Sequence, residues 1–106
     1  MIVTTINEVP GKKLVKSLDL VKGNTIRARN LGRDIIATLK NLVGGEIEEY
    51  TKLLGESREQ AVDRMIATAE ELGANAIVGV RFSTSYIMQS AAEIMVYGTA
   101  VIVEDE

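Results

Sequence analysis

The spacing of apolar positions along the chain changes from two to nearly four and back, and each change marks an element. Residues 2–6 form a short β-branched run that ends at Asn7 and Pro10-Gly11, a turn signal, and they predict a first strand. Over residues 13–19, polar Lys13, Ser17 and Asp19 alternate with Leu14 and Leu18, although Val15 and Lys16 blur the pattern. Gly23-Asn24 then supplies a turn or bulge before residues 25–28, so the segment predicts one long strand with a break in it.

The period lengthens after Asn30, an N-cap type. Leu31, Ile35, Leu39 and Leu42, with Ile36 and Val43 beside them, predict a three-turn amphipathic helix closed by Gly44-Gly45. Residues 46–72 carry the longest helical stripe: Ile47, Tyr50, Leu54, Ala61, Met65, Ala69 and Leu72, widened by Val62 and Ile66. Gly55 interrupts it, and Ser57 with Gln60 fits a capping box, which leaves two helices meeting near Gly55 or one helix bearing a penalty of about 1 kcal/mol. One continuous or slightly kinked helix is the favoured reading. Glu46, Glu48 and Glu49 suit its first turn, and Gly73-Ala74-Asn75 closes it before a strand over residues 76–83.

The last strand, residues 94–103, reads Ile94, Val96, Gly98, Ala100, Ile102 on one parity and Met95, Tyr97, Thr99, Val101, Val103 on the other, so neither face is polar. A strand apolar on both sides needs cover on both sides, and the predicted helices cover one face of a small sheet. The second cover is expected from another copy of the chain or from a ligand, with residues 77–82 and 94–103 burying one face against neighbours. A charge at Ala100 or Val101 should then break the assembly or unfold it.

Composition narrows the chemistry. The 106 residues suit one domain, at 46% hydrophobic and 25% charged. Neither Cys nor His occurs, which removes disulfides, thiol nucleophiles, imidazole bases and Cys/His zinc sites together. Ser57, Ser83, Ser85 and Ser90 lack an imidazole partner, so the chain leans away from catalysis. Residues 1–43 hold eight Lys/Arg against three Asp/Glu, and residues 44–106 hold four against twelve, giving halves of +5 and −8. The basic residues are scattered and only one Phe and three Tyr are present for stacking, so nucleic acid is not an expected partner. No signal-peptide pattern opens the chain and no apolar run is long enough for a bilayer, so a cytoplasmic protein without a membrane partner is expected.

Several separated motifs now fit one pattern: Gly44-Gly45-Glu46, Tyr50, Leu54, the run from Ser57 through Arg58, Glu59 and Gln60 to Ala61, Met65, Ala69, the stretch over residues 72–81, and Tyr97-Gly98-Thr99-Ala100-Val101. In these the chain resembles the YbjQ family, small prokaryotic proteins of unestablished function that carry a heavy-metal-binding label. The resemblance implies an α+β fold: a two-layer, dodecin-like subunit with a small, mainly antiparallel sheet and one short plus one long helix. It further implies assembly as a ring-shaped homopentamer.

Soft metals want thiolate, thioether or imidazole, and of these the chain has only Met1, Met65, Met88 and Met95, of which Met65 and Met95 read as core. A hard cation would have to use Glu46, Glu48 and Glu49 or the tail Glu104, Asp105 and Glu106. Arg58 falls on the apolar stripe and is expected to be partly buried and paired with a carboxylate or carbonyls, with a ligand anion as the alternative. Gly44 and Gly45 either cap a helix or offer backbone N–H groups to an anion. Tyr97 and Thr99 either line a pore or pocket or flank close packing at Gly98. The expected function is a homo-oligomeric binding or scaffold protein with no resident cofactor. The alternatives are a metal binder using oxygen ligands and an enzyme with a site between subunits.

Overall fold

The computed structural model describes residues 1–27, 46–88 and 91–106, with the backbone alone at residues 27, 46–53, 86–88 and 91. Among these, the strands are β1 (Ile2–Val3), β2 (Lys12–Arg27), β3 (Ala76–Met88) and β4 (Ala91–Asp105), and the helix is α1 (Glu46–Glu71). They build an α+β fold with one four-stranded sheet in the order β1-β3-β4-β2. The sheet is mixed rather than wholly antiparallel: β2 and β3 flank β4 antiparallel, while β1 lies parallel to β3. The helix expected over residues 30–43 and the Gly44-Gly45 cap lie outside the described residues.

The long second strand forms as its alternation implies, and its irregularity sits earlier than Gly23-Asn24. The register with β4 shifts between Leu14 and Lys16 and between Ser17 and Asp19, leaving Val15 and Leu18 as extra residues. The second shift turns Leu18 toward the core beneath α1. At the end of the β2–β4 ladder, Lys12 pairs with Asp105 at 2.5 Å and Lys13 with Glu104 at 3.1 Å. The hydrogen bond and charge of Lys12 hold the Asp105 carboxyl below its ordinary range. That support is present at neutral pH and fades as the pH falls through the lowered value; exposure to solvent keeps it small.

The helix runs unbroken through Gly55 for 26 residues. Its buried stripe is Ser57, Ala61, Met65 and Ala69, a stride of four. The helix ends in a Schellman motif, in which Ala74 N–H donates to the Ala69 carbonyl and Gly73 N–H to that of Glu70, with Gly73 at φ 84° where a Cβ is disfavoured. Asn75 follows at once, and its side-chain amide acts as a peptide group: Nδ2 donates to the Val103 carbonyl and Oδ1 accepts from Val103 N–H, both at 2.8 Å.

Two apolar clusters lie on the two faces of the sheet. Beneath α1, Ala61, Met65 and Ala69 pack on Val21, Ile77, Val80, Val96 and Ala100. On the far side, Ala76, Val78, Val101 and Val103 are buried with Ile2 and Val9 against them. The chain thus covers part of its own second face with its N-terminal residues, where the sequence pattern suggests a neighbour or ligand.

Candidate functional site

The part of the far face that the N-terminal residues do not reach is the candidate site. Parity along β4 places Ile94, Val96, Gly98 and Ala100 toward α1 and Met95, Tyr97 and Thr99 away from it. Those last three are only half-buried, in contrast to Val101 and Val103 further along the same parity. On β2, Leu14, Leu20 and Ile26 stand opposite Val103, Thr99 and Glu93, so all three share this face, and they are 49%, 65% and 59% exposed. Leu20 and Ile26 flank half-buried Met95, Tyr97 and Thr99, so the exposed apolar surface on this part of the face is contiguous, which marks a contact surface where single exposed side chains would not.

Across the middle of the face, the register aligns Lys22, Tyr97 and Arg81 in one row. A phenol therefore stands between two cationic strand positions. The Arg81 guanidinium leans toward the N-terminal residues, Nη1 donating to the carbonyls of Thr5 at 2.7 Å and Val80 at 2.8 Å. Nearby, Asn24 Nδ2 donates to Glu93 Oε2 at 3.0 Å. Tyr97 and Thr99 thus lie on the open face, while between them Gly98 is closely packed: a Cβ there would stand 2.8 Å from Ile77 Cγ2. Close packing at Gly98 and an open surface at its neighbours occur together, because they occupy opposite sides of one strand.

The remaining sequence candidates do not join this site. Arg58 is exposed, which corrects the expectation of partial burial. The buried stripe has a stride of four running back from Ala69 through Met65 and Ala61 to Ser57, and Arg58 stands about 100° round the helix from it. Arg58 instead rims a shallow groove of about 410 Å³ with Glu59, Val62 and Asp63 of α1 and Phe82 of β3, away from Tyr97 and Thr99. Gly44 and Gly45 lie outside the described residues. Glu46, Glu48 and Glu49 open α1, and only their backbone is described. Met65 is core, as expected, whereas Met95 is half-buried on the open face, because its parity turns it from α1.

Sequence reasoning offers Ser57 as half of a capping box and misses its place on the buried side of α1, where it is 1% exposed. Its carbonyl accepts from Thr25 Oγ1 at 3.2 Å, beside a bond from Arg64 Nη1 to the Asn24 carbonyl. Extending the four-residue stride by one more step would have found it.

Among the described residues, no three of His, Cys, Asp and Glu are placed to hold a metal ion. No helix of the described residues is long and apolar enough to cross a membrane. The arrangement offers contact chemistry: apolar surface, a phenol and two flanking cations.

A family model, YbjQ_1, described as "Putative heavy-metal-binding", matches residues 1–104. The chain is 62% identical over 104 residues to a UPF0145 protein of Dehalococcoides mccartyi, covering 98% of this chain and 100% of that one. A UPF0145 protein of Methanoculleus marisnigri is 56% identical over 101 residues, covering 95% and 94%. A crystal structure of a DUF74-family protein of unknown function from Pediococcus pentosaceus superposes with a TM-score of 0.65 at 17% identity, covering 98% of both chains, a likeness of fold. The chain belongs to the YbjQ family.

Proposed function

We propose that this YbjQ-family chain works as a homo-oligomeric binding or scaffold protein, in which neighbouring copies cover the open sheet face. The observation that carries the reading is the exposure of Leu20 and Ile26 on that face, beside half-buried Met95 and Tyr97. Full burial of one such aliphatic side chain is worth about 1.5–3 kcal/mol, so a contact covering both gains several kcal/mol before its losses are counted.

In this reading the copies form a closed ring of five, the number that the family resemblance implies. Rings of odd order use two different patches per subunit, which the opposite charges of the two halves of the chain suit. Native mass spectrometry of the purified chain is expected to give a pentamer and to show any retained small molecule. A monomer at micromolar concentration refutes the reading.

The heavy-metal description of the family fits these residues poorly. Thiolate and imidazole are absent from the sequence, and buried Met65 is a core side chain. Dialysis against a strong chelator is expected to leave oligomer size and melting temperature unchanged. A large loss of either would favour a hard cation on carboxylates instead, with Glu46, Glu48 and Glu49 the first to replace.

A further inference from the structure

We propose that the row of Lys22, Tyr97 and Arg81 on the open sheet face binds a doubly charged oxyanion, the phosphate group of a small molecule. The inference rests on the binding reading above and names the ligand class for that face.

Arg81 reaches the face through a β-bulge. Along β3, Ala76 and Val78 pack in the far cluster and Ile77 in the cluster beneath α1, so strict alternation would carry Val80 to the far side and Arg81 beneath the helix. Instead Val78 pairs with Thr99 and Arg81 with Tyr97, which sets both Gly79 and Val80 against Gly98. The extra residue is Gly79, at φ 62°, and past it the parity reverses: Val80 joins the core beneath α1 and Arg81 shares the far face with Tyr97. The N-terminal residues fix the bulge, Gly79 N–H donating to the Ile6 carbonyl at 2.9 Å and Val80 N–H to that of Thr4 at 3.1 Å. A bulge that re-aims one charged side chain is a device found beside functional sites.

The guanidinium so placed is held without being neutralised. Nη1 donates to the Thr5 and Val80 carbonyls, which are uncharged, and the N–H groups of Nε and Nη2 have no partner among the described residues. That remaining side of a guanidinium is the one that can grip an oxyanion with two parallel bonds. Across Tyr97, Lys22 makes no ion pair or hydrogen bond with a described residue, and neither does the Tyr97 hydroxyl. The carboxylates on the same parity of β4 are engaged elsewhere, Asp105 by Lys12 and Glu93 by Asn24.

Adjacent strands lie about 4.8 Å apart, so the Lys22 and Arg81 backbones stand about 10 Å apart with Tyr97 midway, within reach of both side chains. A phosphate dianion over the phenol balances both cations and accepts from the hydroxyl, whereas a monocarboxylate balances one. Leu20 and Met95, in the rows on either side, offer apolar contact to the rest of the molecule. A copy covering the face would strip water from both cations, and this strengthens their demand for a counter-charge.

Calorimetric titration of the purified chain with inorganic phosphate and with phenyl phosphate, at constant ionic strength and with acetate as the monovalent control, tests the site. Wild type is expected to bind phosphate with a Kd below about 1 mM, phenyl phosphate more tightly and acetate at least about tenfold more weakly. Lys22→Gln and Arg81→Gln should each weaken phosphate binding at least about tenfold, and Tyr97→Phe by about threefold, with unchanged dichroism spectra. If Arg81→Gln disturbs the N-terminal residues, Lys22→Gln decides, because the Lys22 side chain supports no described contact. Wild type that binds no phosphate, acetate bound as tightly as phosphate, or full phosphate affinity in Lys22→Gln would each overturn the proposal. Inorganic phosphate bound more tightly than the ester would replace the small molecule with the free ion. An oligomer that binds no phosphate leaves the oligomeric reading standing alone; a monomer that binds it keeps the site and removes the covering copies.

Discussion

Gly23→Ala is expected to destabilise the fold by at least about 3 kcal/mol, far more than a surface alanine usually does. A Cβ on Gly23 would stand 1.9 Å from the Ala61 carbonyl oxygen and 2.6 Å from the Met65 nitrogen, both backbone atoms of α1. Neither can rotate away as a side chain could, so the helix itself must move. Movement there also disturbs the next two residues of β2, whose Asn24 carbonyl and Thr25 hydroxyl bond to Arg64 and to the Ser57 carbonyl. Gly55→Ala is the control: nothing lies within 4 Å of its added Cβ, and the helix should gain about 0.5–1 kcal/mol. Denaturant midpoints at one protein concentration decide the matter, since assembly makes stability depend on concentration. Equal midpoints for the two variants would contradict this packing of helix on strand.

Val101→Asp should unfold the chain rather than merely dissociate it. Val101 is fully buried among Ala76, Val78 and Val103, with Ile2 and Val9 of the same chain over the cluster, so a carboxylate there has no partner and no route to water. An uncompensated buried charge costs about 3–5 kcal/mol, a large part of a small domain's stability. The sequence pattern places this residue at a subunit boundary; the structure places it inside one subunit. Leu20→Asp is the complementary change, since at 65% exposure the new carboxylate stays hydrated in a single chain and is buried only when a copy covers the face. Circular dichroism should show Val101→Asp unfolded and Leu20→Asp folded. A folded Val101→Asp would mean that the second cluster contributes little to the fold.

What the sequence makes legible here is local. The 3.6-residue stripe is long enough to carry α1 through Gly55, and alternation is clear enough to place β2, β3 and β4. Arg58 fails by one position: Leu54 and Ala61 suggest a stripe passing near it, but the close approach at Gly23 fixes the helix with Ser57 inward. The apolar second parity of β4 is covered at one end, where Val101 and Val103 lie under the N-terminal residues, and stays half-exposed at Met95, Tyr97 and Thr99. Which part the chain covers itself depends on β1 reaching β3 across more than 70 residues, a pairing no local period reveals. The amide of Asn75 bonding both ways to Val103 is equally hidden, since any turn accommodates Asn. Tyr97 and Thr99 were placed together correctly on one strand face, whereas their neighbours Lys22 and Arg81 come from the register of two other strands.

Sedimentation of the wild type beside Leu20→Asp tests most directly whether copies of this chain cover the open face. The wild type is expected to sediment as a multiple of 11.5 kDa at micromolar concentration. Leu20→Asp should sediment at the single-chain mass with an unchanged dichroism spectrum. Moderate salt should leave the wild-type oligomer intact, because apolar burial supplies the contact. A wild type that sediments as one chain, or a Leu20→Asp oligomer identical to it, would contradict the account.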